Sequence, residues 1–144
     1  PMGATDLTAA DRWEIHELTS RAAWGYDEAQ LDVIEACFTA DAVMTVRVTG
    51  SDRDGRFEGR DAVLDLIGSS IASQSDQRRH VISNVFVESD DAAGPRVVST
   101  LTLIVVADGA VRVLTTGTYR DVVARDGDAW RIRQRDLTLD LPYL

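Results

Sequence analysis

From residue 81 to residue 139 the chain is a succession of β-branched, alternating segments broken only by turn formers, and this constrains the fold more than any other feature. Val81 to Glu88, Val97 to Val106, Val111 to Arg125 and Trp130 to Leu139 read as strands. The breaks are Asp90-Asp91 with Gly94-Pro95, Asp108-Gly109, and Asp126-Gly127-Asp128. Asp-Gly between two alternating runs is a strong hairpin signal, because both residues tolerate the positive φ that a two-residue turn demands. Four strands joined in this way form an antiparallel meander. One face of such a sheet needs cover.

The first half of the chain supplies that cover. Thr8-Ala9-Ala10-Asp11 reads as a capping box, and the helix behind it runs to about Trp24 with Ile15, Leu18 and Ala22 at helical spacing. A second short helix, about Glu28 to Phe38, carries Leu31, Ile34 and Cys37 on one stripe. Val43 to Thr49 alternates as a strand, residues 50–55 read as a loop, and Phe57-Glu58 as a short strand. A third helix runs from about Asp61 to Ala72. Helices segregated to one face of a curved antiparallel sheet define an α+β fold. With 144 residues and no internal linker or repeat, one domain over 4–144 is expected. Pro1-Met2-Gly3 reads as an expression-tag remnant or a disordered terminus.

Composition narrows the function classes. A net charge of −9 argues against a nucleic-acid partner, which needs a basic face. No apolar run approaches a membrane span and no leader is recognisable, so a cytoplasmic protein without membrane contact is expected. All fifteen basic residues are Arg, which excludes Schiff-base chemistry and a phosphate loop ending in Gly-Lys-Ser/Thr. Gly-x-Gly-x-x-Gly is also missing, so no cofactor is expected. A lone cysteine and two histidines far apart give no basis for a disulfide or a metal site.

Two stretches carry chemistry. Trp24-Gly25-Tyr26-Asp27 ends the first helix with a phenol and a carboxylate, and Arg79-His80-Val81-Ile82-Ser83-Asn84 opens a strand with an imidazole. Imidazole ordinarily titrates near 6.5, and a carboxylate on one ring nitrogen fixes the tautomer and frees the other nitrogen for a proton. His80, Ile82, Asn84 and Phe86 share strand parity, so one face would carry two polar groups among apolar ones, the make-up of a ligand pocket. Each residue also has a plainer reading. Asp27-Glu28-Ala29-Gln30 fits a capping box for the second helix, and His80 fits a satisfied strand histidine. Arg135 fits either a cavity-facing group or a structural ion pair with Asp27, Asp136 or Asp121. Trp13 and Trp24 read as core or pocket wall, His16 as solvated and Cys37 as core.

The order of elements resembles the nuclear-transport-factor-2-like superfamily. Within it, the residues resemble the SnoaL-like branch that includes scytalone dehydratase and hexachlorocyclohexane dehydrochlorinase. The anchors in register are Tyr26-Asp27, Phe38-Thr39-Ala40-Asp41-Ala42, Phe57-Glu58-Gly59-Arg60, Arg79-His80 with Asn84, Thr116 to Asp121, and Gly127 to Ile132 with Arg135. The resemblance implies a cone-shaped α+β barrel: three N-terminal helices on a curved, mostly antiparallel sheet that encloses a pocket. It implies His80 and Asp27 as a catalytic dyad with Tyr26 beside them; Asn84, Arg135, Trp24, Phe86 and Ile82 are the expected substrate-binding residues. A second pocket histidine of scytalone dehydratase has no counterpart here, and Val46 stands where a ketosteroid isomerase would have its base. The implied activity is a cofactor-independent lyase or isomerase, dehydration first and cyclisation or double-bond isomerisation next, on a small apolar oxygenated molecule such as a polyketide, terpenoid, steroid or aromatic. The alternative is a non-catalytic accessory subunit like the small subunit of ring-hydroxylating dioxygenases. A homodimer or homotrimer is expected in either case.

Overall fold

A computed structural model describes residues 6–143, so the reading of Pro1-Met2-Gly3 lies outside the described residues. The chain runs α1 (Ala9–Asp27), α2 (Leu31–Cys37), β1 (Phe38–Val48), β2 (Asp54–Glu58), α3 (Arg60–Ala72), β3 (Gln77–Asp91), β4 (Gly94–Ala107), β5 (Ala110–Asp126) and β6 (Ala129–Leu139). One six-stranded sheet is ordered β2-β1-β6-β5-β4-β3. Every pairing is antiparallel except β1 with β6. The expected α+β cone is present, with an open sheet as its wall and three helices across its mouth. Strands β3 to β6 extend the expected meander by one to four residues at most ends. Asp108 and Gly109, with φ of 52° and 74°, form the two-residue turn between β4 and β5.

Local chemistry sets the helix ends. Thr8 accepts from the Asp11 amide and Asp11 accepts from the Thr8 amide, the capping box expected at the start of α1. The far end differs from expectation. Helix α1 continues three residues past Trp24, because Glu28 and Gln30 donate back to the Trp24 and Gly25 carbonyls. Helix α2 therefore starts later, at Leu31, with Gln30 as its N-cap and no side-chain cap bond. Gly25 is required where α1 and α2 cross: a Cβ there would sit 2.8 Å from Ile34 Cγ1.

Inward positions of the sheet form two apolar clusters. The larger, with Ile15, Leu18, Ile34, Phe38, Val63, Val123 and Ile132, lies between helices and sheet. The smaller joins Leu101, Leu103, Tyr119 and Leu139. Cys37 is buried among the first set, as expected, and its thiol is pushed up by burial. Trp13 is not core: it stands 67% exposed on α1. His16 is exposed, as expected.

Two bulges decide which residues reach the interior. In β3, Ser83 pairs with Thr100 and Phe86 with Val98, so an extra residue is inserted and side-chain parity flips. Asn84 occupies the kink with φ of 54°. In β6, Val122 faces Gln134 while Val123 faces Ile132, which inserts Arg133. Trp130 and Ile132 then share the inner face with Arg135, Leu137 and Leu139 instead of opposing it.

Candidate active site

A cavity of about 160 Å³ lies between the two apolar clusters. Its walls are mostly aliphatic, from Ala22 and Ala23 of α1, Ile34, Phe38, Met44, Leu66, Ile67, Ile82, Leu101, Leu103, Leu137 and Leu139. Six polar side chains interrupt them: Tyr26, Ser70, His80, Tyr119, Arg135 and Tyr143. Mostly apolar lining with a few placed polar groups is the composition of a small-molecule site.

His80 stands at the side where the last turn of α1 meets β3. Its Nδ1 lies 2.6 Å from Asp27 Oδ1, and the same carboxylate accepts from the His80 amide at 3.1 and 2.9 Å. The pair is nearly sealed, with side-chain exposures of 8% and 6%. An acceptor-only carboxylate on Nδ1 makes that nitrogen the N–H donor and leaves Nε2 with its lone pair. Nε2 has no hydrogen-bond partner among the described residues, and the ring lines the cavity. Asp27 does not cap α2. It sits in the last turn of α1. Gln77 donates to the Asp27 carbonyl at 3.2 Å, and Arg79 pairs with Glu28 at 2.5 Å, fastening β3 to this turn.

Tyr26 packs its ring against His80 with centroids 4.2 Å apart. Its hydroxyl hydrogen-bonds Ser70 Oγ of α3, and Gln74 Nε2 donates to it at 3.2 Å. Burial pushes the phenol up against the opposing pull of those bonds, so it remains protonated in the ordinary pH range.

The sheet side of the cavity carries a carboxylate–guanidinium pair. Arg135 and Asp121 are cross-strand partners on β6 and β5. Arg135 Nε and Nη2 each donate to one Asp121 oxygen at 2.9 Å, a bidentate pair with side-chain exposures of 8% and 0%. Burial works against the guanidinium, and the Asp121 carboxylate more than offsets it, so Arg135 holds its proton more firmly than an ordinary arginine. The guanidinium also lies 4.1 Å above the Tyr119 ring. Burial raises the Tyr119 phenol to about 12.

Of the residues expected from sequence, the structure brings His80, Tyr26, Ile82 and Arg135 to the cavity, with Asp27 directly behind His80. Arg135 satisfies both of its sequence readings, since it lines the cavity and is paired with Asp121. It arrives there through the Arg133 bulge, not by lying on the opposite face from Ile132. Three expectations fail. Asn84 is exposed at the β3 bulge, and Phe86 beyond it is 51% exposed, because the bulge turns Val85 and Val87 inward instead. Trp24 is 55% exposed and borders a shallow outer depression behind Asp27 and His80. Sequence reasoning named Asp121 as one possible partner of Arg135 and missed Tyr119, Ser70, Gln74 and Tyr143. Tyr119 shares strand parity with Asp121 and could have been found through it; nothing local marked Ser70 or Gln74. Among the described residues no group of three His, Cys, Asp or Glu is placed to hold a metal ion.

The arrangement resembles known proteins in fold. A protein from Novosphingobium aromaticivorans, assigned as the beta subunit of an aromatic-ring-hydroxylating dioxygenase, superposes with a TM-score of 0.77 at 14% identity, over 92% of this chain and 91% of that one. A protein of unknown function with a cystatin-like fold from Nostoc punctiforme gives 0.73 at 21%, over 96% and 98%. Aln2 from a Streptomyces species gives 0.76 at 22%, over 92% and 93%. None of the curated proteins compared matches the sequence. No helix among the described residues is long and apolar enough to cross a membrane. The family model of the SnoaL-like domain matches residues 7–136, nearly the whole described chain, and with the cone, the sheet order and the cavity it makes this chain a member of the SnoaL-like domain family.

Proposed function

We propose that the protein is a cofactor-independent lyase or isomerase that removes a proton from a small, apolar, oxygenated molecule, with His80 as general base. The family often includes cyclases and isomerases, which agrees with this class of reaction. The observation that carries the reading is the 2.6 Å bond from His80 Nδ1 to Asp27 beside an apolar cavity onto which the ring faces. Asp27 holds the tautomer and stabilises the imidazolium that forms; it need not take the proton itself.

Dehydration fits these groups with balanced bookkeeping of atoms. His80 Nε2 takes a proton from the carbon next to a carbonyl, and the electron pair moves to the carbonyl oxygen, where hydroxyl donors receive it. The enolate's electron pair then returns to re-form the carbonyl and makes the carbon–carbon double bond, as the bond from the β-carbon to the substrate's hydroxyl breaks. The departing hydroxide takes the proton from the imidazolium and leaves as water, which returns His80 to its starting state. General acid–base assistance contributes about 10²–10⁴-fold, and the close-fitting cavity supplies positioning.

The competing reading is an accessory subunit, as one structural neighbour is assigned. An open cavity with an oriented imidazole favours chemistry, since a supporting subunit needs neither. The test is a panel of one-ring β-hydroxy ketones such as 3-hydroxycyclohexanone, followed by enone absorbance and by deuterium uptake from solvent. The wild-type chain is expected to accelerate at least one of the two readouts, and His80→Ala to abolish it. Equal behaviour of both proteins across the panel would favour the accessory reading. Association into a homodimer or homotrimer is part of the proposal and is read by light scattering.

A further inference from the structure

Three hydroxyl and amide groups around Tyr26 form a set whose protons can be counted. Gln74 Nε2 donates to Tyr26 Oη at 3.2 Å and to Ser70 Oγ at 3.3 Å. Tyr26 and Ser70 are also hydrogen-bonded to each other. Two hydroxyl protons are therefore available. One lies between the two oxygens, and the other has no acceptor among the described residues. The phenol is the stronger acid, so it is the better donor of the shared proton. Ser70 then accepts from both Tyr26 and Gln74, and its own O–H is left to donate.

Ser70 stands on the cavity wall, one helical turn before Gln74. A serine in a helix commonly satisfies itself by donating to a carbonyl of the preceding turn. Ser73 does this, donating to the Ser70 carbonyl at 2.9 Å. Among the described residues the Ser70 hydroxyl bonds only to Tyr26 and Gln74. Accepting two hydrogen bonds polarises its O–H, which makes it a better donor. Ser70 and His80 both line the cavity, and the Tyr26 ring, 4.2 Å from the imidazole by centroids, links the two.

Charge and size limit what the donor can meet. The one guanidinium on the wall, Arg135, already has two of its nitrogens committed to Asp121, and the carboxylate of Asp27 stands behind His80. An anionic ligand would find no uncompensated cation there, and the protein has no Lys. The cavity volume of about 160 Å³ is that of a site for one ring, since an apolar cavity of about 150 Å³ takes benzene.

We infer that Ser70, and not Tyr26, is the hydroxyl that receives the oxygen of the bound molecule, that Tyr26 and Gln74 are positioning residues that aim it, and that the occupant is an uncharged one-ring ketone or enone. This rests on the functional reading above for the purpose of the site, and it can fail separately. The probe is cyclohex-2-enone carrying ¹³C at the carbonyl, bound to the full chain. Donation to the carbonyl oxygen moves its resonance downfield. Ser70→Ala should lose that displacement and bind about 3- to 10-fold more weakly, the value of one neutral hydrogen bond. Ser70→Thr, which keeps the hydroxyl, should restore it. Gln74→Glu should also lose it, because a carboxylate accepts from both hydroxyls and turns Ser70 away from the cavity. Tyr26→Phe should keep most of it, because Gln74 still aims Ser70.

A displacement that survives Ser70→Ala and vanishes in Tyr26→Phe would overturn the assignment, and an unchanged Gln74→Glu would overturn the role of Gln74. Failure of the wild-type chain to bind the enone would overturn the occupant. If the wild-type chain shows the displacement but never exchanges deuterium, the inference about Ser70 stands and the reading of His80 as a base falls.

Discussion

The cavity has a carboxylate paired with a nitrogen group on each of two walls, and the two pairs behave as opposites. At the α1–β3 junction, Asp27 holds an imidazole that can gain and lose a proton and has one nitrogen without a partner among the described residues. On the sheet, Asp121 holds a guanidinium by two parallel bonds of 2.9 Å, and burial beside the carboxylate locks its charge. The first pair joins elements far apart in sequence, 53 residues, and depends on a helix end meeting a strand start. The second joins neighbouring strands in register. On the proposed function the first moves a proton, while the second stays as it is and shapes the pocket.

Replacing each pair should therefore give different signatures. His80→Ala should lower turnover of a responsive substrate by about 10²–10⁴-fold. Asp27→Asn should lose a large part of the same factor, because an amide can donate to Nδ1 and stabilise the wrong tautomer. Asp121→Asn should be read in stability first. It leaves Arg135 buried without its countercharge and should cost about 3–5 kcal/mol of stability, read by urea unfolding. The double change Asp121→Leu with Arg135→Met should recover much of that loss, since apolar replacements remove both desolvation costs.

Tyr119 sharpens the contrast through pH. Its folded value, about 12, lies above the unfolded value of 10.0 because the buried neutral phenol is favoured. That contribution to stability is complete below about pH 10 and is lost as pH rises towards about 12, on the order of 2–3 kcal/mol in all. Unfolding midpoints should fall across this window, and less steeply in Tyr119→Phe. Smaller still, Asn84→Val should cost about 1–2 kcal/mol through its left-handed φ of 54°, with no effect on ligand binding. Trp24→Ser, on the exposed side of α1, should stay within about 0.5 kcal/mol and leave binding of the enone as it is.

Sequence legibility followed the same division. The meander was readable because Asp-Gly turns and alternating β-branched runs are local signals. His80 and Asp27 became candidates through resemblance, and their contact depended on where α1 stops. The apparent cap at Asp27-Glu28-Ala29-Gln30 pointed to an earlier stop, whereas backbone bonds from Glu28 and Gln30 carry the helix on to Asp27. Asn84 and Phe86 were misplaced because one inserted residue flips every side chain beyond it, and no residue type announces that bulge. Ser70 and Gln74 were invisible for another reason. Their meaning comes from Tyr26, 44 and 48 residues away, and a serine and a glutamine near a helix end carry no signal of their own.

The central claim is that Asp27 keeps His80 as a proton acceptor facing the cavity. The most direct test is ¹⁵N NMR of the two imidazole nitrogens at a pH where the ring is neutral. The account predicts a protonated Nδ1 and a bare Nε2 in the wild-type chain, with the bare nitrogen moving to Nδ1 or averaging in Asp27→Asn. A wild-type His80 with its proton on Nε2, unaffected by Asp27→Asn, would contradict the account.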